Sequence, residues 1–220
     1  MIQLHYYPST ASMVPHILLE ELGSNYQRVL VDRSQNAQKM TAYLKLNPNG
    51  LIPVLTDGDL VLYESAAICL HLCDSNPQAR LAPTVGTPER AHFYKWLMWL
   101  TNTLQATLIV YFYPQRWANE GDIKGAAQIR AHAETKVGLM LDQLDVELAR
   151  QCATHAEPWL LGENYSAVDI YTLMLCRWTR NFASVPASRR ENLGPYLQRM
   201  LARPAVVRAF QAEDLAQPWV

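Results

Sequence analysis

The stretch LNPNGLIPVLTDGDLVLYES, residues 46–65, decides the fold of this chain. Two short apolar runs flank the dipeptide Asp57-Gly58, and this pattern is a strong signal for a β-hairpin. Pro53 lies inside the first run, where a proline removes a backbone donor from the sheet ladder. Three arrangements would accommodate it: an edge strand, a bulge, or a cis peptide bond between Ile52 and Pro53.

The residues before this hairpin alternate between strand and helix patterns. The runs IQLHYY (2–7) and YQRVLVD (26–32) predict strands, and MVPHILLEELG (13–23) between them predicts a helix that ends at Gly23. A polar helix is predicted over 38–45, and another over 65–75 after the hairpin. The order βαβ, α, ββα, with a proline opening the strand before the hairpin, is typical of the thioredoxin-like fold. This context favours the cis bond, which would turn the Ile52 N–H and C=O outward to pair with the backbone of a peptide.

The second part of the chain follows a different pattern. NPQARLAPTVGTPE (76–89) is rich in proline, glycine and threonine and predicts a linker. Beyond it we expect long helices and no strands: one over 89–115 that Pro114 stops, one over 127–151, one opened by Ser166 and Asp169 at capping-box spacing, and two short helices divided by Arg203-Pro204. The sequence therefore predicts an α/β domain over 1–80 and an all-helical domain over 89–220.

Composition excludes several classes of protein. The chain of 220 residues is 50% hydrophobic with a net charge of −1, so it has no basic surplus to bind nucleic acid. No apolar run is long enough to cross a membrane, and the N-terminal residues lack the pattern of a secretion signal. Four cysteines without a Cys-x-x-Cys pair fit reduced thiols in the cytoplasm. Cys69 and Cys73 are interpreted as buried hydrophobic residues, and no metal site is predicted.

Glu64 and Ser65 stand at the predicted start of the helix over 65–75. A helix N-terminus offers free N–H groups and a partial positive charge to a carboxylate, and the Ser65 hydroxyl adds a hydrogen bond. The Glu64 carboxylate can face an ammonium, so the pair suits the head group of an amino acid. The alternative is that Ser65 only caps the helix.

Four motifs together carry a resemblance that spans residues 4–209: YYPSTAS with PHILLEELG, LNPNGLIPVL, LYESAAICLHL and YSAVDIYTL. With them the chain resembles the cytosolic glutathione transferases, and most of all the bacterial beta-class-like branch. The resemblance implies the glutathione transferase fold, in which a thioredoxin-like domain is followed by an all-helical one. It also implies a homodimer and glutathione as co-substrate. Ile52, beside Pro53, would hold the cysteinyl backbone of glutathione, and Glu64 and Ser65 would hold its γ-glutamyl end.

The chain departs from the beta-class pattern at two positions. Ala11 stands where that class has a cysteine, and Gln105 stands near a histidine that is usual on the long helix. Without that sulfur the protein cannot supply a thiol nucleophile, so the expected chemistry is activation of the thiol of glutathione. Lowering the pKa of a thiol by about 2 units needs roughly 2.7 kcal/mol. A charge-assisted hydrogen bond of about 1.5–3 kcal/mol and a helix N-terminus worth up to about 1 kcal/mol suffice without a metal.

The hydroxyl that would stabilise the thiolate is left open by the sequence. Ser12 is the first candidate, because it adjoins the position of the beta-class cysteine at the helix start. The alternative is that its hydroxyl is already hydrogen-bonded to the backbone. Tyr6, at the end of the first strand, is the second candidate. The alternative is that its ring only packs beneath the site. Ser9 and Thr10 are third, since turn residues often bond only their own backbone. His16, one turn further along, is interpreted as structural.

The second substrate is expected to be a small apolar electrophile. Candidate residues for its site are Tyr7 from the first domain and Gln105, Tyr111, Tyr113 and Trp117 from the long helix and its end, with core packing as the alternative for the aromatic residues. The leading hypothesis is a bacterial, cytoplasmic glutathione S-transferase active in detoxification. The alternatives are a specialised glutathione-dependent isomerase or lyase and a non-catalytic binding protein that keeps the fold.

Overall fold

The computed structural model describes all residues from 1 to 220 and divides into two compact units. The first unit combines Met1–Ala82 with Leu201–Ala216, and the second combines Pro83–Met200 with Gln217–Val220. The sequence assigns 201–216 to the helical domain, whereas in the structure these residues belong to the thioredoxin-like unit. Each unit is described in turn.

The first unit contains a four-stranded mixed sheet. Its strands are β1 (Ile2–Tyr6), β2 (Tyr26–Leu30), β3 (Val54–Asp57) and β4 (Leu60–Tyr63). They lie in the order β2-β1-β3-β4, with β1 parallel to β2 and antiparallel to β3. The predicted hairpin is confirmed: β3 and β4 pair antiparallel around Gly58, which has a φ of 57°. Glycine adopts this left-handed conformation without the steric cost that a side chain brings.

The nine α-helices are α1 (Met13–Glu21), α2 (Thr41–Leu44), α3 (Ser65–Ser75), α4 (Pro88–Trp99), α5 (Ala106–Phe112), α6 (Ile123–Cys152), α7 (Ala167–Trp178), α8 (Leu193–Leu201) and α9 (Pro204–Ala212). The polar helix expected over 38–45 is wrong in extent. Its place is taken by a 3₁₀ turn at Ala37–Lys39 and the single turn α2, because Met40 between them has an extended backbone.

Helix α1 is the centre of the first core. Every residue from Met13 to Leu19 is buried, and the helix packs against both α3 and α9. The arginines of the returning segment anchor α9 to α1, since Arg203 pairs with Glu21 at 2.7 Å and Arg208 pairs with Glu20 at 2.6 Å. These contacts explain why residues 201–216 belong to the first unit. The sequence pattern of this segment does not indicate them, because they join residues far apart in the chain.

The second unit is helical throughout. The helix predicted over 89–115 is a continuous helical path, but the π-helical segment Leu100–Gln105 separates α4 from α5. The Thr101 hydroxyl donates to the carbonyl oxygens of Leu97 and Met98, so it competes with the backbone donors of this turn. From Ala133 to Leu148, helix α6 buries one residue in every three or four, and the residues between them are half-buried or exposed, as the amphipathic pattern predicts.

The predicted capping box at the start of α7 is confirmed. The Asp169 carboxylate accepts hydrogen bonds from the N–H groups of Ser166 and Leu160, both at 2.8 Å, and from the Tyr196 hydroxyl at 2.9 Å. Burial raises the pKa of this carboxyl above its usual range, although the hydrogen bonds oppose the shift. No helix in the structure combines the length and the apolar character that crossing a bilayer requires.

Candidate functional site

The strand register brings the predicted binding residues of the first unit to one end of its sheet. His5 of β1 lies opposite Val54 of β3, and Val54 lies opposite Tyr63 of β4. The turn that follows β1, the Ile52–Pro53 bond that precedes β3, and the Glu64–Ser65 pair that follows β4 therefore meet at this end. Residues separated by more than fifty positions in the chain come together there through backbone pairing alone.

The Ile52–Pro53 peptide bond is cis, as the sequence context favours. Pro53 precedes β3 rather than lying within it, so the sheet loses no donor. Ile52 makes no backbone hydrogen bond within the protein. The residue before it is fixed: the Leu51 carbonyl accepts from the Tyr43 hydroxyl at 2.8 Å and from the Asn47 amide at 2.9 Å. The unpaired backbone of Ile52 therefore lies next to the hydrogen-bonded backbone of Leu51.

The N-terminus of α3 presents unpaired backbone donors. The first helical hydrogen bond runs from the Ile68 N–H to the Glu64 carbonyl, so the three N–H groups before Ile68 have no helical acceptor. Ser65 is buried, and its hydroxyl lies 3.5 Å from the Ala11 carbonyl oxygen at the start of α1. The N-termini of α1 and α3 thus lie side by side.

Glu64 has an unusual backbone conformation at this position. Its φ is 72°, a region that residues with a side chain rarely adopt, and its side chain is exposed and caps no helix N–H. Such an outlier is a pointer to function where the surrounding fold maintains it. Here it leaves the carboxylate free beside the open end of α3.

Ser12 is completely buried and its hydroxyl is engaged. The oxygen lies 3.0 Å from the Thr10 hydroxyl, accepts from the Tyr7 N–H at 3.3 Å, and is 3.1 Å from the Tyr7 carbonyl oxygen. The Thr10 hydroxyl donates to the same carbonyl at 2.7 Å. This geometry favours the alternative in which backbone occupies Ser12. By contrast, the backbone N–H groups of Thr10 and Ala11 make no hydrogen bond within the protein.

Tyr6 and Ser9 differ from Ser12 in their surroundings. The Tyr6 ring is half-buried, with the Arg28 guanidinium 5.1 Å from its centre and the His16 ring 6.3 Å away, and its hydroxyl has no hydrogen-bond partner in the protein. Ser9 has a φ of 61°, and its N–H donates to a Glu213 carboxylate oxygen at 3.0 Å.

The other oxygen of Glu213 lies 2.7 Å from His16 Nδ1, and both side chains are buried. His16 is structural, as the sequence indicates, whereas nothing in the sequence indicates Glu213. It lies 204 residues from Ser9, and only the packing of α9 on α1 brings the two together.

In the helical unit, the predicted acceptor residues have different environments. Tyr111 is 5% exposed and lies against Phe182, with ring centres 4.4 Å apart, so it belongs to the core. Tyr113 is half-buried under Arg116, and Trp117 is 52% exposed. Gln105 is half-buried, and its amide oxygen accepts a 2.6 Å hydrogen bond from the hydroxyl of Tyr171, a residue that the sequence analysis did not select.

Tyr7 belongs to the first unit, where it follows β1. It is half-buried, and the Arg33 guanidinium lies 5.7 Å from its ring centre. Cys69 and Cys73 are buried in α3, as expected, and burial raises the pKa of the Cys69 thiol. Neither thiol is therefore available as a nucleophile.

Comparison with known protein families gives one consistent match. Residues 1–74 match the family described as "Glutathione S-transferase, N-terminal domain", and residues 101–204 match "Glutathione S-transferase, C-terminal domain". A curated relative, glutathione S-transferase GST-4.5 of Xanthomonas campestris pv. campestris, is 28% identical over 97% of this chain and 100% of its own.

Two solved structures extend the match to the three-dimensional fold. A glutathione transferase homologue from Sulfitobacter with bound glutathione has a TM-score of 0.85 at 26% identity and covers 96% of this chain and 98% of its own. A bacterial beta-class glutathione S-transferase from Sphingomonas chungbukensis has a TM-score of 0.80 at 31% identity and covers 97% of this chain and 100% of its own.

Proposed function

Because this chain belongs to the glutathione S-transferase family, we propose that it joins the glutathione thiolate to small apolar electrophiles. The observation that carries the proposal is the set of free backbone groups at one end of the sheet: the Ile52 edge and the adjoining N-termini of α1 and α3. These groups match the main-chain polarity of a peptide and the charge of its carboxylates.

Glutathione would bind along this end of the sheet. The γ-glutamyl carboxylate would accept from the N–H groups at the start of α3 and from Ser65, and its ammonium would face Glu64. The backbone of Ile52, beside Pro53, would pair with the cysteinyl residue as an added strand. This arrangement directs the sulfur toward the turn before α1.

We place the thiolate at the N-terminus of α1, where the free N–H groups of Thr10 and Ala11 offer hydrogen bonds and partial positive charge. Two hydroxyls are proposed to help stabilise the thiolate, those of Ser12 and Tyr6. The Ser12 hydroxyl must turn its proton away from the Tyr7 carbonyl oxygen, whereas the Tyr6 hydroxyl has no hydrogen-bond partner. Two charge-assisted hydrogen bonds of about 1.5–3 kcal/mol each would meet the roughly 2.7 kcal/mol that a shift of 2 pKa units requires.

The residues proposed to contact the electrophile are considered separately in each unit. In the helical unit they are the half-buried Tyr113 and the exposed Trp117, and in the first unit the half-buried Tyr7. In the reaction the sulfur forms a bond to the electrophilic carbon, the leaving group departs with its electron pair, and the thiol proton passes to solvent. Assembly as a homodimer and a cytoplasmic location complete the proposal, in keeping with the family.

Retention on immobilised glutathione is the first test, followed by conjugation of 1-chloro-2,4-dinitrobenzene. The wild type, Ser12→Ala and Tyr6→Phe are then compared by the ultraviolet absorbance of bound thiolate across pH. If a hydroxyl stabilises the thiolate directly, its removal raises the pKa of the bound glutathione thiol. If it only holds the turn, its removal leaves this pKa unchanged. A chain that is not retained on glutathione contradicts the proposal and favours a non-catalytic binding protein.

A further inference from the structure

Two buried side chains of the first unit hold the carbonyl group of Leu51. The Tyr43 hydroxyl donates to the Leu51 oxygen at 2.8 Å, and the Asn47 amide donates to the same oxygen at 2.9 Å. Both donors are buried, although Leu51 itself is exposed. A carbonyl oxygen has two lone pairs, so the protein occupies both of its acceptor positions. The carbonyl of a surface residue is therefore fixed toward the interior of the unit.

The peptide bond between Leu51 and Ile52 passes this constraint on to Ile52. The bond is trans, since the only cis bond of the first unit is the one between Ile52 and Pro53. In a planar trans peptide, the C=O group and the N–H group that follows it point in opposite directions. Because the Leu51 carbonyl points toward its two buried donors, the Ile52 N–H points away from them. It makes no hydrogen bond within the protein.

The ring and the hydroxyl of Tyr43 are both held in place. The ring belongs to a buried cluster with Val31 and Val54, and the Ile52 side chain packs against this cluster. Burial raises the pKa of Tyr43, so the hydroxyl keeps the proton that it donates. Tyr43 therefore contacts both the side chain of Ile52 and the peptide group that precedes it.

The Asn47 side chain is oriented by the turn that leads to Leu51. Its amide oxygen accepts from the Asn49 N–H at 3.0 Å, while its backbone carbonyl accepts from the Gly50 N–H at 2.9 Å. The first of these bonds occupies the oxygen end of the amide, so the nitrogen end faces Leu51. The turn thus supplies a second donor whose direction is independent of Tyr43.

We propose that Tyr43 and Asn47 are positioning residues for glutathione, because they direct the Ile52 N–H toward the cysteinyl carbonyl of the ligand. The inference rests on the proposed function and deepens it, since it assigns the direction of one backbone donor to two named side chains. A donor that is oriented before binding loses little conformational freedom when the ligand arrives. The Ile52 carbonyl lies in the next peptide plane, so these side chains do not orient it.

Two analogues separate this contact from the rest of the ligand. The first, γ-glutamylcysteinamide, keeps the cysteinyl carbonyl of glutathione and lacks the glycine, whereas γ-glutamylcysteamine lacks both. Each retains the γ-glutamyl end, the amide N–H that follows it and the thiol. The two compounds therefore differ only in the carboxamide whose oxygen would accept from the Ile52 N–H.

The test measures the Kd of glutathione and of both analogues by calorimetry, with variants of the full chain. Tyr43→Phe removes the hydroxyl and keeps the ring. We expect it to raise the Kd of glutathione and of γ-glutamylcysteinamide about fivefold, and to leave the Kd of γ-glutamylcysteamine unchanged. A purely structural role would weaken both analogues equally. An equal increase for the two analogues, or no increase for either, overturns the inference.

Tyr26→Phe is the matched control in the same unit. Its hydroxyl also donates one hydrogen bond, to Glu20 at 2.6 Å, but Tyr26 pairs with Ile2 at the opposite end of the sheet. We expect this variant to be less stable in urea and to bind all three ligands with unchanged Kd. If it discriminates between the analogues as Tyr43→Phe does, the effect is not specific to the Leu51 carbonyl and the inference fails.

A second variant decides the matter if Tyr43→Phe does not fold. Asn47→Ser keeps an oxygen that can accept from the Asn49 N–H, but its side chain is too short to donate to Leu51. We expect the same pattern as for Tyr43→Phe, with weaker binding of γ-glutamylcysteinamide and unchanged binding of γ-glutamylcysteamine.

Failure of the proposed function gives a separate result. A wild type that binds neither glutathione nor γ-glutamylcysteinamide contradicts both proposals. A wild type that binds and conjugates glutathione, but whose Kd values are the same in Tyr43→Phe and Asn47→Ser, contradicts only this inference.

Discussion

The two units of this chain differ in the kind of group that each leaves open at its candidate site residues. In the first, the open groups are backbone: the Ile52 edge and the N–H groups that begin α1 and α3. In the helical unit they are side chains, with Gln105 held by Tyr171 and Trp117 left exposed. The first arrangement depends on strand register and helix starts, whereas the second depends on individual side chains. Substitutions should therefore affect the two units in different ways.

The largest effect is expected where one side chain holds several elements. Asp169→Ala leaves the buried N–H groups of Leu160 and Ser166 and the Tyr196 hydroxyl without their acceptor. We expect the free energy of unfolding to fall by about 3–5 kcal/mol, measured by urea denaturation. Asp122→Ala is the control, because it removes an exposed cap with a single bond to the Gly125 N–H and should cost about 1 kcal/mol. Equal costs would contradict the view that Asp169 joins several elements of the helical unit.

A smaller effect is expected at Glu213, whose carboxylate accepts from the turn before α1. Glu213→Gln removes the charged acceptor of the Ser9 N–H and of His16, and we expect a loss of about 1.5–3 kcal/mol in urea denaturation. Glu21→Gln removes the carboxylate that pairs with Arg203 between the same two helices, at a partly exposed position, and should cost at most about 1 kcal/mol. If Glu213→Gln leaves both stability and the pKa of the bound glutathione thiol unchanged, the turn before α1 does not depend on the Glu213 carboxylate.

Ligand binding provides a finer comparison. Glu64→Gln keeps the size of the side chain and removes its charge, and we expect the Kd of glutathione to rise about tenfold by calorimetry, since the exposed position weakens the ion pair. Asp59→Asn removes a carboxylate in the β3–β4 turn at the opposite end of the sheet and should leave the Kd unchanged. A desamino analogue of glutathione should bind both Glu64 forms equally, and a persistent difference would contradict the ammonium contact.

The smallest effect concerns the thiols of the protein. Burial raises the pKa of Cys176 to about 12 and also raises that of Cys69, whereas Cys152 is exposed. We expect Ellman's reagent at pH 8 to modify one thiol in the native protein and all four after unfolding. Cys152→Ser should then give no native reaction. Rapid labelling of a second thiol would contradict the view that the reactive sulfur comes from the ligand.

The first unit could be predicted closely because its signals are local. The Asp57-Gly58 turn, the proline before β3 and the apolar spacing of α1 each specify a short piece of backbone. Sheet pairing then brings the pieces to one end without further information. The polar helix over 38–45 was wrong in extent, because the extended backbone of Met40 divides it into two turns and no strong signal in the sequence marks that break.

The long-range contacts of the candidate residues could not be predicted, because they join distant parts of the chain. Tyr171 lies 66 positions from Gln105, and Glu213 lies 197 positions from His16. Tyr171 resembles an ordinary residue of α7, and Glu213 follows α9 with no local signal that marks it. The π-helical segment was missed for a related reason, since its apolar spacing fits a regular helix closely.

The return of α9 to the first unit has a consequence for biosynthesis. A ribosome releases the βαβ segment long before it polymerises Glu213, so the nascent turn at Ser9 emerges without its acceptor. Until translation has passed through the helical unit, α1 lacks its partner helix and the apolar residues that face α9 stay open to chaperones or to other nascent chains. The first unit is therefore incomplete on the ribosome, and the proposed glutathione site gains its last contact only near the end of synthesis.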